Sequence, residues 1–253
     1  MTYRNEIIHY LNANLEPDIF DDTALNGLQI EGREKIGKIA VAVDAGKAVI
    51  EEAIRRNADM LIVHHGIFWG KSQSITGGFK EKLSLCLNAG LNLAAWHLPL
   101  DAHLSWGNNI ALARLIGLAN PTPCFPYCGK EIGICGENLS GATLDTILTS
   151  LGTLPGASVK IHHLPFGPTE PKKIAIVSGG GANALYEAHG IGIDTLITGE
   201  PKQACYHYAA EEHLNVVFAG HYATETLGVC EVGKALAAEF GLSWEFIDMP
   251  TGI

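Results

Sequence analysis

The run Met60-Leu61-Ile62-Val63-His64-His65-Gly66 constrains this chain more than any other stretch. Four apolar residues in a row are what a strand covered on both faces looks like. Two adjacent imidazoles and a glycine then close it. The run reads as a buried strand that delivers polar ligands at its C-terminal end. Neighbouring side chains on a regular strand point to opposite faces. His64 and His65 can therefore converge only where the strand ends, at a bend that Gly66 permits. Alternatively each serves a different ion, an arrangement that favours a pair of metals about 3.5–4 Å apart. We read His64 and His65 as metal ligands, together with Asp101, His221 and Glu225. Imidazole nitrogen suits borderline cations, and carboxylates offset the charge and can bridge two ions.

The surrounding pattern alternates strands and helices. A helix is expected over residues 4–14, followed by a loop ending in Asn26-Gly27-Leu28-Gln29-Ile30, where Asn-Gly marks a turn. Ile39–Val43 reads as a strand and Ala48–Arg56 as a helix. Asp44 between them suits either an N-cap or a place in the site. Met60–Val63 is a strand, a helix spans about Phe79–Asn88, and Leu91–Ala95 is a third strand. Asn108–Ile116 is helical, with Gly117 at its end. The rhythm resumes with strands at Ile174–Val177, Thr195–Thr198 and Asn215–Ala219. Helices are expected over Ala182–Ala188, from Gly199-Glu200-Pro201 onward, and over about Thr224–Phe240, with Trp244–Ile247 as a closing strand. Strands separated by helices imply parallel pairing.

Residues 120–172 differ. Pro121, Pro123 and Pro126 interrupt regular structure, and Pro165, Pro168 and Pro171 suggest a linker. Glu131–Cys135 and Val159–His162 read as strands around a helix near Leu144–Leu151. The expected organisation is a first lobe over 1–120 carrying His64, His65 and Asp101, a variable region over 121–172, and a second lobe over 173–253 carrying His221 and Glu225. The lobes echo each other. Asp59-Met60-Leu61-Ile62-Val63-His64-His65 parallels Asp194-Thr195-Leu196-Ile197-Thr198-Gly199-Glu200. Leu91-Asn92-Leu93 followed by His97 parallels Leu214-Asn215-Val216 followed by His221. Each of these histidines meets a carboxylate four residues on, Asp101 or Glu225. This points to duplication. The expected fold is α/β, with two interlinked, pseudo-repeated lobes, mainly parallel sheets, and the metal site between them, at strand C-termini.

Other features have two readings each. Gly179-Gly180-Gly181 offers backbone N–H groups to an anion or allows close packing. Glu200 is a candidate general base, or a cap for the helix opening at Pro201. His103, His162, His163, His189, His207 and His213 lack a carboxylate at matching spacing and are left out of the site. With 17 basic and 27 acidic residues, the net charge of −10 argues against a broad grip on nucleic acid. No apolar run is long enough to span a membrane. The N-terminus lacks the apolar core of a signal peptide, so a cytoplasmic protein with six reduced cysteines is expected.

The chain also resembles a known family. The resemblance is carried by Asn26-Gly27-Leu28-Gln29, Val63-His64-His65-Gly66, His97-Leu98-Pro99-Leu100-Asp101-Ala102-His103 and Gly107-Asn108-Asn109. It continues through Ser178-Gly179-Gly180-Gly181, Thr198-Gly199-Glu200 and Gly220-His221-Tyr222-Ala223-Thr224-Glu225. Together these are similar to the Nif-three-like, or YbgI-like, dinuclear-metal proteins, often labelled GTP cyclohydrolase type-two homologues. The resemblance implies two divalent ions per chain on His64, His65, Asp101, His221 and Glu225. It also implies two interlinked α/β lobes and a homohexameric ring with the metal sites facing an inner cavity. The metal is open among zinc, iron, manganese and nickel. His97 is expected to orient Asp101 or to contact substrate, and His97 and Glu200 are the candidate proton-transfer groups. The function expected is hydrolysis of a nucleotide or related heterocycle by a metal-activated water. The competing expectation is a non-enzymatic metal-binding ring that holds a protein or nucleic acid in its cavity.

Overall fold

The computed structural model describes residues 1–157 and 161–252. The chain divides into two compact units, Met1–Leu100 with Val229–Met249, and Asp101–Gly228 with Pro250–Ile253. This division differs from the one expected. Asp101 opens the second unit, residues 121–157 and 161–172 are built into it, and Val229–Met249 belongs to the first.

The first unit is organised by a five-stranded sheet in the order Ser243–Phe246, Lys38–Asp44, Met60–His65, Asn92–Ala95, Gly27–Ile30. The first four strands run parallel, and Gly27–Ile30 closes the edge antiparallel to Asn92–Ala95. The near-continuous apolar runs follow from burial on both faces. Ala40, Ala42, Leu61, Val63, Leu93 and Ala95 share one face and pack with Val49, Ile50 and Ala53 of the helix Lys47–Arg55. Phe79 and Leu83 of the helix Gly77–Ala89 join that layer. The alternation of odd and even positions along each strand is thus read out as a single layer. The helix Arg4–Leu15 buries Ile7, Leu11 and Leu15, and its Tyr10 meets Phe240 edge to face at 5.4 Å.

The second unit carries a six-stranded sheet in the order Ala119–Tyr127, Lys130–Glu137, Lys173–Val177, Thr195–Thr198, Asn215–Phe218, His162–Pro165. Its three central strands from Lys173 onward are parallel, and the flanking strands antiparallel. One face holds Ile174, Ile176, Ile197 and Val217 against the helices Asn108–Leu115 and Leu144–Leu151. The other holds Ala175, Val177, Leu196, Val216 and Phe218 against Leu185–Ala188 and Cys205–Glu211. The fold is mixed α/β, as expected.

Both sheets contain three parallel strands in chain order followed by an antiparallel edge strand, and both fix the strand starts with the same polar pair. The Asp59 carboxylate accepts from the backbone N–H groups of Gly37 and Lys38 at 2.8 and 3.1 Å. The Asp194 carboxylate accepts from Lys172 and Lys173 at 2.8 and 3.1 Å. Buried Asn92 accepts from Gly32 N–H at 2.8 Å and donates to the carbonyls of Arg33 and Asp59. Buried Asn215 accepts from Gly167 N–H at 2.9 Å and donates to the Pro168 carbonyl and the Thr195 hydroxyl.

Several local expectations are corrected. Gly27–Ile30 is a strand, not loop; tertiary pairing outweighs the Asn-Gly turn signal there, and Gly27 takes φ +98°. Pro121, Pro123 and Pro126 lie inside the nine-residue strand Ala119–Tyr127. That strand is at the sheet edge, where a missing N–H is tolerated, and its register shifts between Ala119 and Thr122. Cys124 and Cys135, expected as thiols, are disulfide-bonded across this hairpin, while Cys86, Cys128, Cys205 and Cys230 are free. The helix expected from Pro201 begins at Cys205. The one expected over Ala182–Ala188 opens as a 3₁₀ turn over Gly181–Ala184. Of the strand expected over Val159–His162, Val159 and Lys160 lie outside the described residues, and the observed strand starts at His162 and includes Pro165.

Replacing Asn92 or Asn215 by alanine leaves several buried backbone groups without partners. Each substitution is expected to cost about 2–4 kcal/mol, read as a lower urea midpoint at unchanged slope.

Candidate metal centre

In the first unit, the strand Met60–His65 carries both imidazoles at its last two positions. His64 is fully buried. Its Nδ1 lies 3.1 Å from the carbonyl of Trp96, in the segment after the neighbouring strand. His65 is half-buried, and its Nδ1 lies 2.9 Å from Asp44 Oδ1. Asp44 ends the adjacent strand, and the following helix is capped at Gly46, with no side-chain cap hydrogen bond. Of the two readings of Asp44, the structure therefore favours the site over the N-cap.

His97 follows the strand Asn92–Ala95. Its ring centroid is 5.1 Å from that of His64 and 5.7 Å from that of His65. The three histidines each offer a ligand atom within 4.8 Å of the other two. Strand ends bring them together although 32 residues separate His65 from His97. His97 Nδ1 is taken by Asp22, at 3.0 Å, and its backbone N–H by the Asn26 side chain. Burial pushes the Asp22 carboxyl pKa up. The bonds from His97, the Ala24 N–H and Asn26 outweigh this and bring it to about 2. Asp22 is thus a fixed anion beneath His97.

In the second unit, buried Asp101 accepts from Asn108 at 2.8 Å and from the Ser178 hydroxyl at 3.0 Å, both through Oδ1. The orienting of Asp101 expected of His97 is supplied by these two groups. His221 opens a short helix, His221–Thr224, and Glu225 is its C-cap. The spacing of one helical turn brings His221 Nε2 to 3.1 Å from Glu225 Oε1. Glu225 is buried. Glu200 accepts from His221 Nδ1 at 2.6 Å. Burial pulls the His221 pKa down, but hydrogen bonds and charge from Glu225 and Glu200 more than reverse this and raise it to about 9. Without metal, the ring therefore holds a second proton at neutral pH.

The glycines after the strand Lys173–Val177 serve packing. A Cβ on Gly179, which has φ +58°, would lie 2.2 Å from Glu225 Oε1 and 3.0 Å from His221 Nε2. One on Gly181 would lie 2.3 Å from Val177 Cγ1. The Gly179 carbonyl accepts from the N–H groups of Gly199 and Glu200 at 3.0 Å. The turn closes on its own neighbours, which favours the packing reading over anion contact.

The donor set fits a divalent metal. It is imidazole nitrogen and carboxylate oxygen, without thiolate. In His64, His65, His97 and His221, Nδ1 faces a carbonyl or carboxylate acceptor. Such a partner holds the proton on Nδ1 of the neutral ring and turns the Nε2 lone pair outward, as metal-binding histidines require. Asp22, Asn26 and Ser178 were missed as site residues because each acts across a long chain separation; Asn108, only seven residues from Asp101, was read as the start of a helix and not as a site residue.

The family model described as Duf34/NIF3 (NGG1p interacting factor 3) matches residues 2–252. A GTP cyclohydrolase 1 type 2 homolog from Pyrococcus horikoshii is 45% identical over 251 residues, covering 99% of each chain. One from Deinococcus radiodurans is 38% identical over 250 residues, covering 99% of this chain and 94% of its own. Among solved structures, the protein ybgI, titled as of unknown function, superposes with a TM-score of 0.91 at 33% identity over the whole of both chains. The protein TTHA1606 from Thermus thermophilus does so with a TM-score of 0.90 at 41% identity, again over both whole chains.

Gly179→Ala combines a left-handed backbone with a side-chain collision. It is expected to lower stability by about 1–3 kcal/mol, measured by thermal denaturation of the metal-free protein. Gly70→Ala, where φ is +53° and no atom lies within 4 Å of the added carbon, is expected to cost less and serves as the control for backbone strain alone.

Proposed function

The chain belongs to the Duf34/NIF3 family, and on that footing we propose that it is a metal-dependent hydrolase whose divalent ions are held by His64, His65, Asp101, His221 and Glu225, two ions to a chain. The observation that supports this most is that Nδ1 of His64, His65 and His221 each faces a carbonyl or carboxylate acceptor, which in the neutral ring directs Nε2 toward a metal; at His221 that nitrogen meets Glu225, its proposed co-ligand. Such ions supply Lewis acidity and bring the pKa of a water toward neutrality. Nitrogen and oxygen donors are compatible with zinc, iron, manganese or nickel.

The chain's own groups have distinct tasks. Asp44, Glu200 and the Trp96 carbonyl fix ring orientation, and Glu200 also raises the basicity of the His221 ring. Glu200 is thereby a positioning residue acting through His221. Asp22 makes His97 a ring with one nitrogen tethered and the other available to carry a proton. Asn108 and Ser178 hold Asp101 oriented by donating to it. The substrate we infer is a nucleotide or related heterocycle. That class follows the name carried by the relatives from Pyrococcus horikoshii and Deinococcus radiodurans.

Metal analysis of purified protein with a nucleotide hydrolysis screen tests this reading. His64→Ala is expected to lose bound metal and turnover while keeping the far-ultraviolet circular dichroism of the native chain. Full metal content with unchanged turnover in that variant would refute it. A metal with a purely structural role would instead take stability with it. Asp44→Ala and Glu200→Ala are expected to weaken metal affinity roughly 10–100-fold through the imidazoles they orient, as seen by chelator competition.

A further inference from the structure

We propose that the first unit carries a phosphate-and-ring binding pocket beside His65 and His97, built to take a mononucleotide. It rests on the hydrolase reading above and deepens it by giving that centre a substrate class and a place to hold it. The pocket is an open surface groove of about 500 Å³ whose wall includes Lys47, Gly66, Trp69, Gln73, Phe79 and Lys82. That volume lies within the usual range for small-molecule sites, about 300–1,000 Å³.

Trp69 ties the pocket to the histidines. Its ring centroid lies 5.9 Å from that of His65 and 5.0 Å from that of His97. Its indole N–H donates to the Gly66 carbonyl at 2.9 Å, which fixes the ring plane. The floor is fixed as well. The Gln29 side chain accepts from Ile67 N–H at 2.8 Å and fills the space where a side chain on residue 66 would stand. Phe79 is braced edge to face by Phe68 at 5.6 Å. Rigid aromatic walls of this kind accept a planar heterocycle at low entropic cost.

The wall carries one unbalanced positive charge. Lys82 makes no ion pair with any other described residue, whereas Lys47 is paired with Glu81 at 2.7 Å and Glu51 at 4.0 Å. In a chain of net charge −10, an unpaired lysine beside two aromatic rings makes a local exception. Ammonium groups bind phosphate as point charges, and the rings and the Gln73 amide suit a base. A ligand with both parts, phosphate and planar heterocycle, uses the whole wall, whereas inorganic phosphate or a nucleoside uses half of it.

Titration calorimetry of the full-length, metal-loaded protein tests this, with GMP, guanosine and inorganic phosphate as probes. GMP is expected to bind more tightly than either part. Lys82→Gln is expected to weaken GMP about tenfold, the cost of one charge-assisted contact, and to leave guanosine unchanged. Trp69→Leu is expected to weaken GMP and guanosine alike and to leave phosphate unchanged. Native GMP affinity in Lys82→Gln would overturn the proposal, as would GMP binding no better than phosphate in the native protein. Metal content is measured on the same samples, and no turnover is read. A failed pocket with intact metal therefore leaves the hydrolase reading standing, and a failed metal assignment leaves the binding result interpretable.

Discussion

Hydrogen bonds to Nδ1 are what the candidate site depends on. An imidazole is a metal ligand only when its proton sits on the other nitrogen and its plane is held. Trp96, Asp44, Asp22 and Glu200 each supply an acceptor to one ring. Three of these are carboxylates, which tie the ring more strongly than a carbonyl does. His64 has the carbonyl and is the fully buried one of the four.

Parallel sheets make that arrangement possible. Adjacent parallel strands end on the same side, so the segments that leave them meet one another there. Asp44 and His65 are register partners at the ends of adjacent strands, and His97 lies just past the next one. In the second unit Ser178 and Gly199 come directly after two of three neighbouring parallel strands and Gly220 comes two residues after the third, and the backbone bonds Gly199 to Gly179 and Gly220 to Gly199. Glycine at those positions is a spatial demand. At Gly199 a Cβ would lie 2.6 Å from the Gly179 carbonyl and 2.7 Å from the His221 Cα. Chain ends packed this closely leave no room for a side chain at Gly199.

Short-range pattern made part of this legible. The buried run before His64, the one-turn step from His221 to Glu225, and the strand and helix rhythm all lie within a few residues. Most strands and helices accordingly fall where periodicity placed them. What escaped lies in long-range pairing. Asp22 meets His97 across 75 residues, and Ser178 meets Asp101 across 77. No local rule connects such pairs. The strand Ala119–Tyr127 escaped for a related reason. Three prolines argue against a strand until one knows that it sits at an edge, which is a property of the sheet and not of the segment. The disulfide between Cys124 and Cys135 follows from that hairpin's pairing. The expectation of reduced thiols drew on a compartment argument, which says nothing about which sulfurs a fold brings together.

The matching Asp and Asn pairs explain why strand ends can be trusted to this precision. Asp59 and Asp194 each grip two successive backbone N–H groups at the start of the preceding strand. Asn92 and Asn215 each bridge three backbone or hydroxyl groups at the start of the next. A strand in a hydrophobic layer has weak longitudinal register, because one valine fills a slot much as another does. A one-residue slip would exchange faces along the whole strand, and in the strand Met60–His65 it would carry His64 to the wrong side. Directional polar bonds at the strand starts forbid that slip, since buried amides displaced by one residue lose their partners outright. Polar groups at one end of each sheet thereby set where the polar groups at the other end must fall.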